Sequence, residues 1–155
     1  MAIKGPKSIP FFPGSSWYDM YDEYGNDLPA EIQLKLMKQT TLAILPLIKK
    51  QNYKQIILLG FGQGGTIALD IANELKLKAI SISGFPLQKY QINNVLLTCG
   101  KSQRGIEIGQ IERFDKEDFE MPKQKEAQVI MKWFSEHLYL RNLALEQMAD
   151  VIELK

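Results

Sequence analysis

The sequence predicts a single α/β domain, and three observations support this class. The chain has 155 residues, a length that fits one domain with its own core better than two. Its 45% hydrophobic and 24% charged residues are ordinary globular usage, which argues against disordered, collagen-like and coiled-coil classes. Segments of helical and strand-like periodicity alternate along the chain, which is typical of folds built around a mostly parallel sheet.

Residues 1–24 predict an extended arm and a loop rather than regular structure. Pro6 and Pro10 leave the arm few consecutive backbone donors. We expect the aromatic residues between 17 and 24 to pack against the first helix, with a substrate pocket as the alternative. The aromatic residues of the whole segment are Phe11, Phe12, Trp17, Tyr18, Tyr21 and Tyr24.

A first helix is predicted to begin after Asn26-Asp27, near Pro29, and to end at about Lys50. Pro46 removes a backbone donor near its end and can kink it. Apolar residues recur at spacings of three and four, which indicates one buried face. These residues are Leu34, Met37, Thr41, Ile44 and Ile48.

Four short apolar strands are predicted after this helix, at 55–60, 78–83, 94–99 and 106–114. A glycine-rich turn and a short helix at 66–75 follow the first strand, and a long helix begins at about Lys123. The predicted organisation is therefore an arm at 1–24, a domain at 25–139 and a C-terminal helical extension at 140–155.

Charge and residue counts exclude several functional classes. The net charge of +1 gives no summed attraction to nucleic acid, and the apolar runs are too short to span a membrane. Cys99 and His137 are the one cysteine and the one histidine, so no disulfide, Cys-rich zinc site or multi-histidine metal centre is expected, and no cofactor. An intracellular, by default cytoplasmic, location is predicted, with a mitochondrial or other organellar assembly left open.

The turn Gly60-Phe61-Gly62-Gln63-Gly64-Gly65 fits the G-x-G-x-x-G dinucleotide fingerprint between a strand and a helix. A nucleotide-binding module is therefore one hypothesis for its function. The next strand, however, ends in Ser-Ile-Ser-Gly and supplies no acidic residue for a ribose, which weakens this hypothesis.

The same turn has the frame of a G-x-S-x-G nucleophile elbow, with Gly62 where serine belongs. Together with Ser16-Trp17-Tyr18-Asp19 and Ser81-Ile82-Ser83-Gly84-Phe85-Pro86-Leu87, it resembles the acyl-protein thioesterase (phospholipase/carboxylesterase) family of α/β-hydrolases. The resemblance implies an N-terminally truncated, hydrolase-like three-layer sandwich. Its sheet would be mostly parallel, with about four to five strands, and a long C-terminal helix would follow.

The departures from that family concern every catalytic position. Gly62 replaces the nucleophile, Gln103 lies in the segment that matches the catalytic acid, and Phe119 lies in the loop that matches the catalytic histidine. Nothing matches the family's oxyanion loop or its first strands. The resemblance therefore implies a pseudoenzyme without hydrolase activity.

Other chemistry-bearing residues have structural explanations. We expect His137 to pack on an apolar helix face and Cys99 to behave as a small buried hydrophobe. Strand-end or turn positions account for Ser81, Ser83 and Ser102. The acidic run of Asp115, Glu117, Asp118 and Glu120 lacks the spacing and the turn glycine of a cation site, and we expect a solvated loop.

The sequence therefore predicts a structural or interaction subunit of a larger protein assembly. A small carboxylesterase or thioesterase with a non-standard nucleophile is the alternative, and the nucleotide-binding module is the second. The strand at 55–60 is apolar on both faces and carries no charge or proline to protect an edge, so we expect a partner protein, rather than the arm, to cover it. The C-terminal helix either covers its own domain or docks a partner. The candidate interaction residues are Ile57, Leu59, Phe11, Phe12, Leu140, Ala144, Met148 and Val151.

Overall fold

The computed structural model describes the backbone of residues 1–8, 14–102, 108–117 and 120–153, and the side chains as far as Leu138. It is divided into two compact units, Met1–Glu120 and Met121–Lys155. The described residues form a mixed α/β fold with three helices and a four-stranded parallel sheet. The α/β class, the strand number and the C-terminal helix are thereby confirmed.

The arm contains a very short antiparallel pair, β1 at Lys7–Ser8 and β2 at Ser15–Ser16. The sequence predicted no regular structure there. Phe11 and Phe12 lie outside the described residues.

The first long element is helix α1, Ala30–Lys49. The predicted stripe is its buried face, since Met37, Thr41, Ile44 and Ile48 are buried. Pro46 lies inside the helix, near its carboxyl end, so the carbonyl of Leu42 lacks its usual intrahelical N–H donor.

The sheet consists of β3 at Ile57–Phe61, β4 at Lys78–Ile82, β5 at Val95–Gly100 and β6 at Gln110–Phe114. The spatial order is β3-β4-β5-β6, and all three pairings are parallel. Strand β5 is buried along its whole length and β4 along nearly all of it, as expected of central parallel strands. Strand β3 begins two residues later than predicted, and the start of the strand predicted at 106–114 lies outside the described residues.

Helix α2, Gln63–Leu75, connects β3 to β4. The helix starts at Gln63, three residues before the predicted start at residue 66. The prediction was late because glycine has a low helix propensity, so Gly64 and Gly65 were assigned to the turn. One side of α2 packs on α1 through Ile67 and Ile71. Its other side packs on the sheet through Leu69 and Ala72.

The second unit consists mainly of helix α3, Gln124–Glu153. Ile130 and Trp133 on this helix are buried. The side chains of Leu140, Ala144, Met148 and Val151 lie outside the described residues. Among the described residues, we find no helix with the length and apolarity needed to cross a membrane.

Candidate functional site

Gly62 forms the whole connection between β3 and α2. Its backbone has φ 54° and ψ −125°, a conformation that L-amino acids adopt only with strain. Its N–H donates a 2.8 Å hydrogen bond to the carbonyl of Ile82 on β4. The strand therefore turns sharply into the helix at the position where a nucleophile elbow carries its serine.

Three glycines around this turn allow a close approach between backbones. A Cβ on Gly60 would stand 2.1 Å from the carbonyl oxygen of Gly64. A Cβ on Gly65 or on Gly84 would stand 2.5 or 2.2 Å from the hydroxyl of Ser81. Packing between β3, α2 and the end of β4 therefore requires these glycines whether or not a ligand binds.

The side chain of Gln63 holds the aromatic segment against the turn. Its Oε1 accepts a 3.0 Å hydrogen bond from the N–H of Trp17, and its Nε2 donates a 3.0 Å bond to the carbonyl of Tyr18. Trp17 and Tyr18 pack in the cluster between α1 and α2. Burial raises the pKa of Tyr18 above its ordinary value, although a hydrogen bond with Thr66 acts in the opposite direction.

The expected packing of the aromatic segment is therefore correct for its first two residues. The expectation is wrong for Tyr21 and Tyr24, which are 57% and 81% exposed. Tyr21 precedes, and Tyr24 lies within, the surface turn in which Asp22 accepts the N–H groups of Tyr24 and Asn26. A local Asx-type turn thus holds this part of the loop at the surface.

At the carboxyl ends of the strands, the turn is accompanied by a buried hydroxyl–amine pair. Lys116, after β6, donates a 2.8 Å hydrogen bond from Nζ to Oγ of Ser83, after β4. Ser83 is 2% exposed and Lys116 9%, and Ser83 has a positive φ of 53°. Sequence reasoning missed this pair because the two residues are far apart in the chain. Gln103 and Phe119, at the positions that the resemblance matches to the other two triad residues, lie outside the described residues.

The remaining candidates lie in separate places. Cys99 is fully buried within β5, and Nη1 of Arg113 approaches its sulfur at 3.1 Å. His137 stacks on Trp133 of the same helix with ring centroids 3.7 Å apart, while its Nδ1 lies 2.8 Å from the Trp133 carbonyl. Asp115 is exposed near Lys101. None of these residues is placed beside Gly62 by a described contact.

A buried charge cluster, which sequence reasoning also missed, joins α1, α2 and the segment after β4. Asp70 is fully buried, and its Oδ1 accepts from Nζ of Lys38 at 2.7 Å and from Nε2 of Gln88 at 2.9 Å. Burial, together with the charge of Asp70, raises the pKa of Tyr90 well above its ordinary value. One feature of the sequence could have indicated this cluster: Asp70 lies between apolar residues of a predicted helix, and a buried charge requires a partner.

The outer edge of β3 is an exposed apolar surface of the first unit. Because the N–H of Gly62 points to β4, the strand alternation directs the backbone groups of Ile57, Leu59 and Phe61 away from the sheet. In the described residues β3 pairs with β4 alone, and no backbone bond leaves this outer edge. Leu59 and Phe61 are 58% and 38% exposed.

A groove of about 440 Å³ runs along this edge. Its walls come from β3, from α1 and α2, from the loop between α1 and β3, and from the start of the arm; they include Met1, Ile3, Ile44, Ile48 and Tyr53. The start of the arm thus reaches the groove, but its strand β1 pairs with β2, and within residues 1–8 and 14–102 the only strand that pairs with β3 is β4.

Comparison of the chain with models of protein families, with curated proteins and with solved structures found no match. Function is therefore inferred from the arrangement of these residues.

Proposed function

We propose that the chain is a non-catalytic, α/β-hydrolase-like protein that serves as a structural subunit of a larger protein assembly. The observation that carries this proposal is the outer edge of β3, where the described part of the chain supplies no pairing strand and the side chains of Leu59 and Phe61 are exposed. Such an edge is normally protected by charge, proline or a covering element. A partner that adds a strand or a surface would bury it.

The hydrolase-like part of the proposal is supported by the strand–turn–helix unit. The sharp turn at Gly62, the contact of Gln63 with Trp17 and the close approach of Gly65 to Ser81 bring together the three segments that resemble the thioesterase family. The sequential parallel order of the four strands is compatible with the elbow strand and the strands after it in a three-layer hydrolase sandwich.

The non-catalytic part is supported by the same turn. Gly62 has no side chain to attack a carbonyl. Among the described residues, the hydroxyl–amine pair of Ser83 and Lys116 resembles a nucleophile with its base, but the Ser83 residue is only 2% exposed, which opposes the approach of a substrate. The nucleotide-binding alternative loses its main support, because close packing already explains Gly60 and Gly65.

We predict that Gly62→Ser does not create a hydrolase. An isolated hydroxyl lacks the base and the oxyanion donors that lower the barrier, and serine at this backbone conformation should lower the free energy of unfolding by about 1–3 kcal/mol. Labelling with a fluorophosphonate probe, hydrolysis of a nitrophenyl ester and urea unfolding measure the three effects.

Wild type and Ser83→Ala are the controls for this experiment. We expect neither the wild type nor Gly62→Ser to label. Stoichiometric labelling of the wild type that Ser83→Ala abolishes would contradict the proposal and support the esterase alternative.

The assembly role is tested by placing a charge on the edge of β3. Leu59→Lys should release the chain from its complex, since a lysine opposes both the burial of this face and edge pairing. Leu42→Lys on α1 is the matched control, because Leu42 is 64% exposed and Leu59 58%, while Leu42 does not line the groove. Size-exclusion chromatography of lysate from cells that normally make the protein gives the readout.

We expect the wild type and Leu42→Lys to elute with a large complex and Leu59→Lys to elute near the mass of the chain, 17.7 kDa. The proposal is wrong if all three elute alike, whether as free chains or within the complex.

A further inference from the structure

The loop that leads into β3 gives the edge a charged end. Lys49 and Lys50 end α1, and Lys54 lies just before β3. All three are exposed, and in the part of the chain that the structure describes none of them forms an ion pair. The neighbouring residues Ile48, Gln51 and Tyr53 line the groove, so positive charge lies near the groove at the amino end of β3.

This charge has no local compensation in the sequence. Between Glu31 and Asp70 the chain contains no acidic residue and five lysines: Lys35, Lys38, Lys49, Lys50 and Lys54. The whole chain has a net charge of only +1. Lys38 is nevertheless paired with Asp70 and Glu74 in the folded chain. The positive charge near the groove is therefore that of the lysines at the end of α1 and in the loop before β3.

We propose that the partner contributes an extended acidic strand, which pairs with the outer edge of β3 and places its carboxylates beside Lys49, Lys50 and Lys54. This inference rests on the proposed function and names the chemistry of the occupant. Apolar side chains at alternate positions of that strand would cover Leu59 and Phe61, and its main chain would bond the outward backbone groups of β3. Charge complementarity would fix its position along the edge.

A second copy of this chain fits the edge less well. Two β3 strands related by a twofold axis would run antiparallel, and each would bring only the lysines of its own 49–54 loop. Residues 49–61 contain no acid to answer those lysines. The charge pattern therefore favours a partner of different sequence.

The test uses the full chain and three fluorescent peptides that share a segment of alternating valine and threonine. One peptide carries a run of glutamates at one end, the second has glutamines in their place, and the third has lysines. We expect the glutamate peptide to bind about fivefold more tightly than the glutamine peptide at low salt, and the difference to shrink as salt is added. The lysine peptide should bind most weakly.

The variant Lys50→Glu/Lys54→Glu should reverse this order of affinities, so that the lysine peptide binds best. The control Lys35→Glu/Lys101→Glu changes the net charge equally at two exposed positions of the first unit. Lys35 lies in the amino-terminal half of α1 and Lys101 follows the carboxyl end of β5, so this variant should keep the original order. Thermal melting checks that both variants fold.

Equal binding of the glutamate and glutamine peptides, or binding of none of them, would overturn this inference. Neither result decides the proposed function, which is tested by the elution of Leu59→Lys. Elution of that variant with the intact complex would refute the proposed function itself.

Discussion

Replacing Gly60 by alanine should destabilise the protein by about 3 kcal/mol or more. The added Cβ would lie 2.1 Å from the Gly64 carbonyl oxygen, 2.3 Å from its carbonyl carbon and 2.5 Å from the nitrogen of Gly65. These are backbone atoms of the first turn of α2, so no side-chain rotation relieves the overlap. Either β3 or α2 must shift, and α2 packs on both the sheet and α1. Urea unfolding measures the loss.

Two further glycine-to-alanine changes serve as controls for this prediction. Gly25 has φ +84° and no neighbouring atom within 4 Å of an added Cβ, so alanine there should cost about 1 kcal/mol from backbone strain alone. An added Cβ on Gly64 would lie 3.1 Å from Nε1 of the Trp17 side chain. A side chain can move more easily than the backbone atoms near Gly60, so Gly64→Ala should cost less than Gly60→Ala. If Gly60→Ala were no more destabilising than Gly25→Ala, the close approach of strand and helix would be refuted.

The same contacts explain why the glycine turn is ambiguous in the sequence. A G-x-G-x-x-G pattern arises where a backbone approaches a phosphate and also where a helix approaches a strand. Sequence spacing does not distinguish these causes. The distance at Gly60 and the contact between Gly65 and Ser81 give a structural cause that requires no ligand.

The regular elements could be predicted because their signals are local. The stripe from Met37 to Ile48 has helical spacing, and the apolar runs that become β4 and β5 are short and bounded by breakers. The start of α2 was predicted three residues too late, because tertiary packing rather than helix propensity makes Gly64 and Gly65 helical. Exposure of Tyr24 could not be predicted, since the aromatic composition of the arm does not encode which side chains the turn holds away from α1.

The polar contacts of the interior were not predicted, because their partners are distant in sequence. Lys116 meets Ser83, and Lys38 meets Asp70, only after the parallel strands and their connecting helix have folded. Sequence reasoning did identify the edge strand, since the apolar and uncharged character of 55–60 is visible locally. The groove could not be predicted, because its walls come together only when α1 and β3 have folded side by side. The position of Lys49, Lys50 and Lys54 near the groove could not be predicted for the same reason.

The cluster around Asp70 provides the second large expected effect. Lys38→Met should lower the free energy of unfolding by about 1–3 kcal/mol. The change removes the ammonium partner of a fully buried carboxylate, which keeps its hydrogen bond from Gln88, and a buried charge without its charged partner is costly. Lys35→Met is the matched control, because Lys35 is exposed on the same helix. Urea unfolding at neutral pH gives the comparison.

The double variant Lys38→Met/Asp70→Asn should recover part of this loss, because asparagine removes the buried charge and still offers an oxygen to Gln88. Two results would contradict the assignment of Lys38 as the partner that stabilises buried Asp70. One is an equal loss of unfolding free energy for Lys38→Met and Lys35→Met. The other is a loss in the double variant that exceeds the sum of the losses for Lys38→Met and Asp70→Asn measured singly.

Alkaline pH tests the same contact without mutating Asp70. Burial lowers the pKa of Lys38, but its hydrogen bonds and its attraction to Asp70 and Glu74 outweigh that effect and leave the pKa raised. A raised pKa in the folded state contributes stability that is fully present below the unfolded-state value, about 10.4, and is lost as pH rises through the folded-state value. The raised pKa of Tyr90 acts in the same direction.

The wild type should therefore lose stability above about pH 10, and its advantage in unfolding free energy over Lys38→Met should shrink there. An advantage that grows with pH would show that the ammonium group of Lys38 is not what stabilises Asp70.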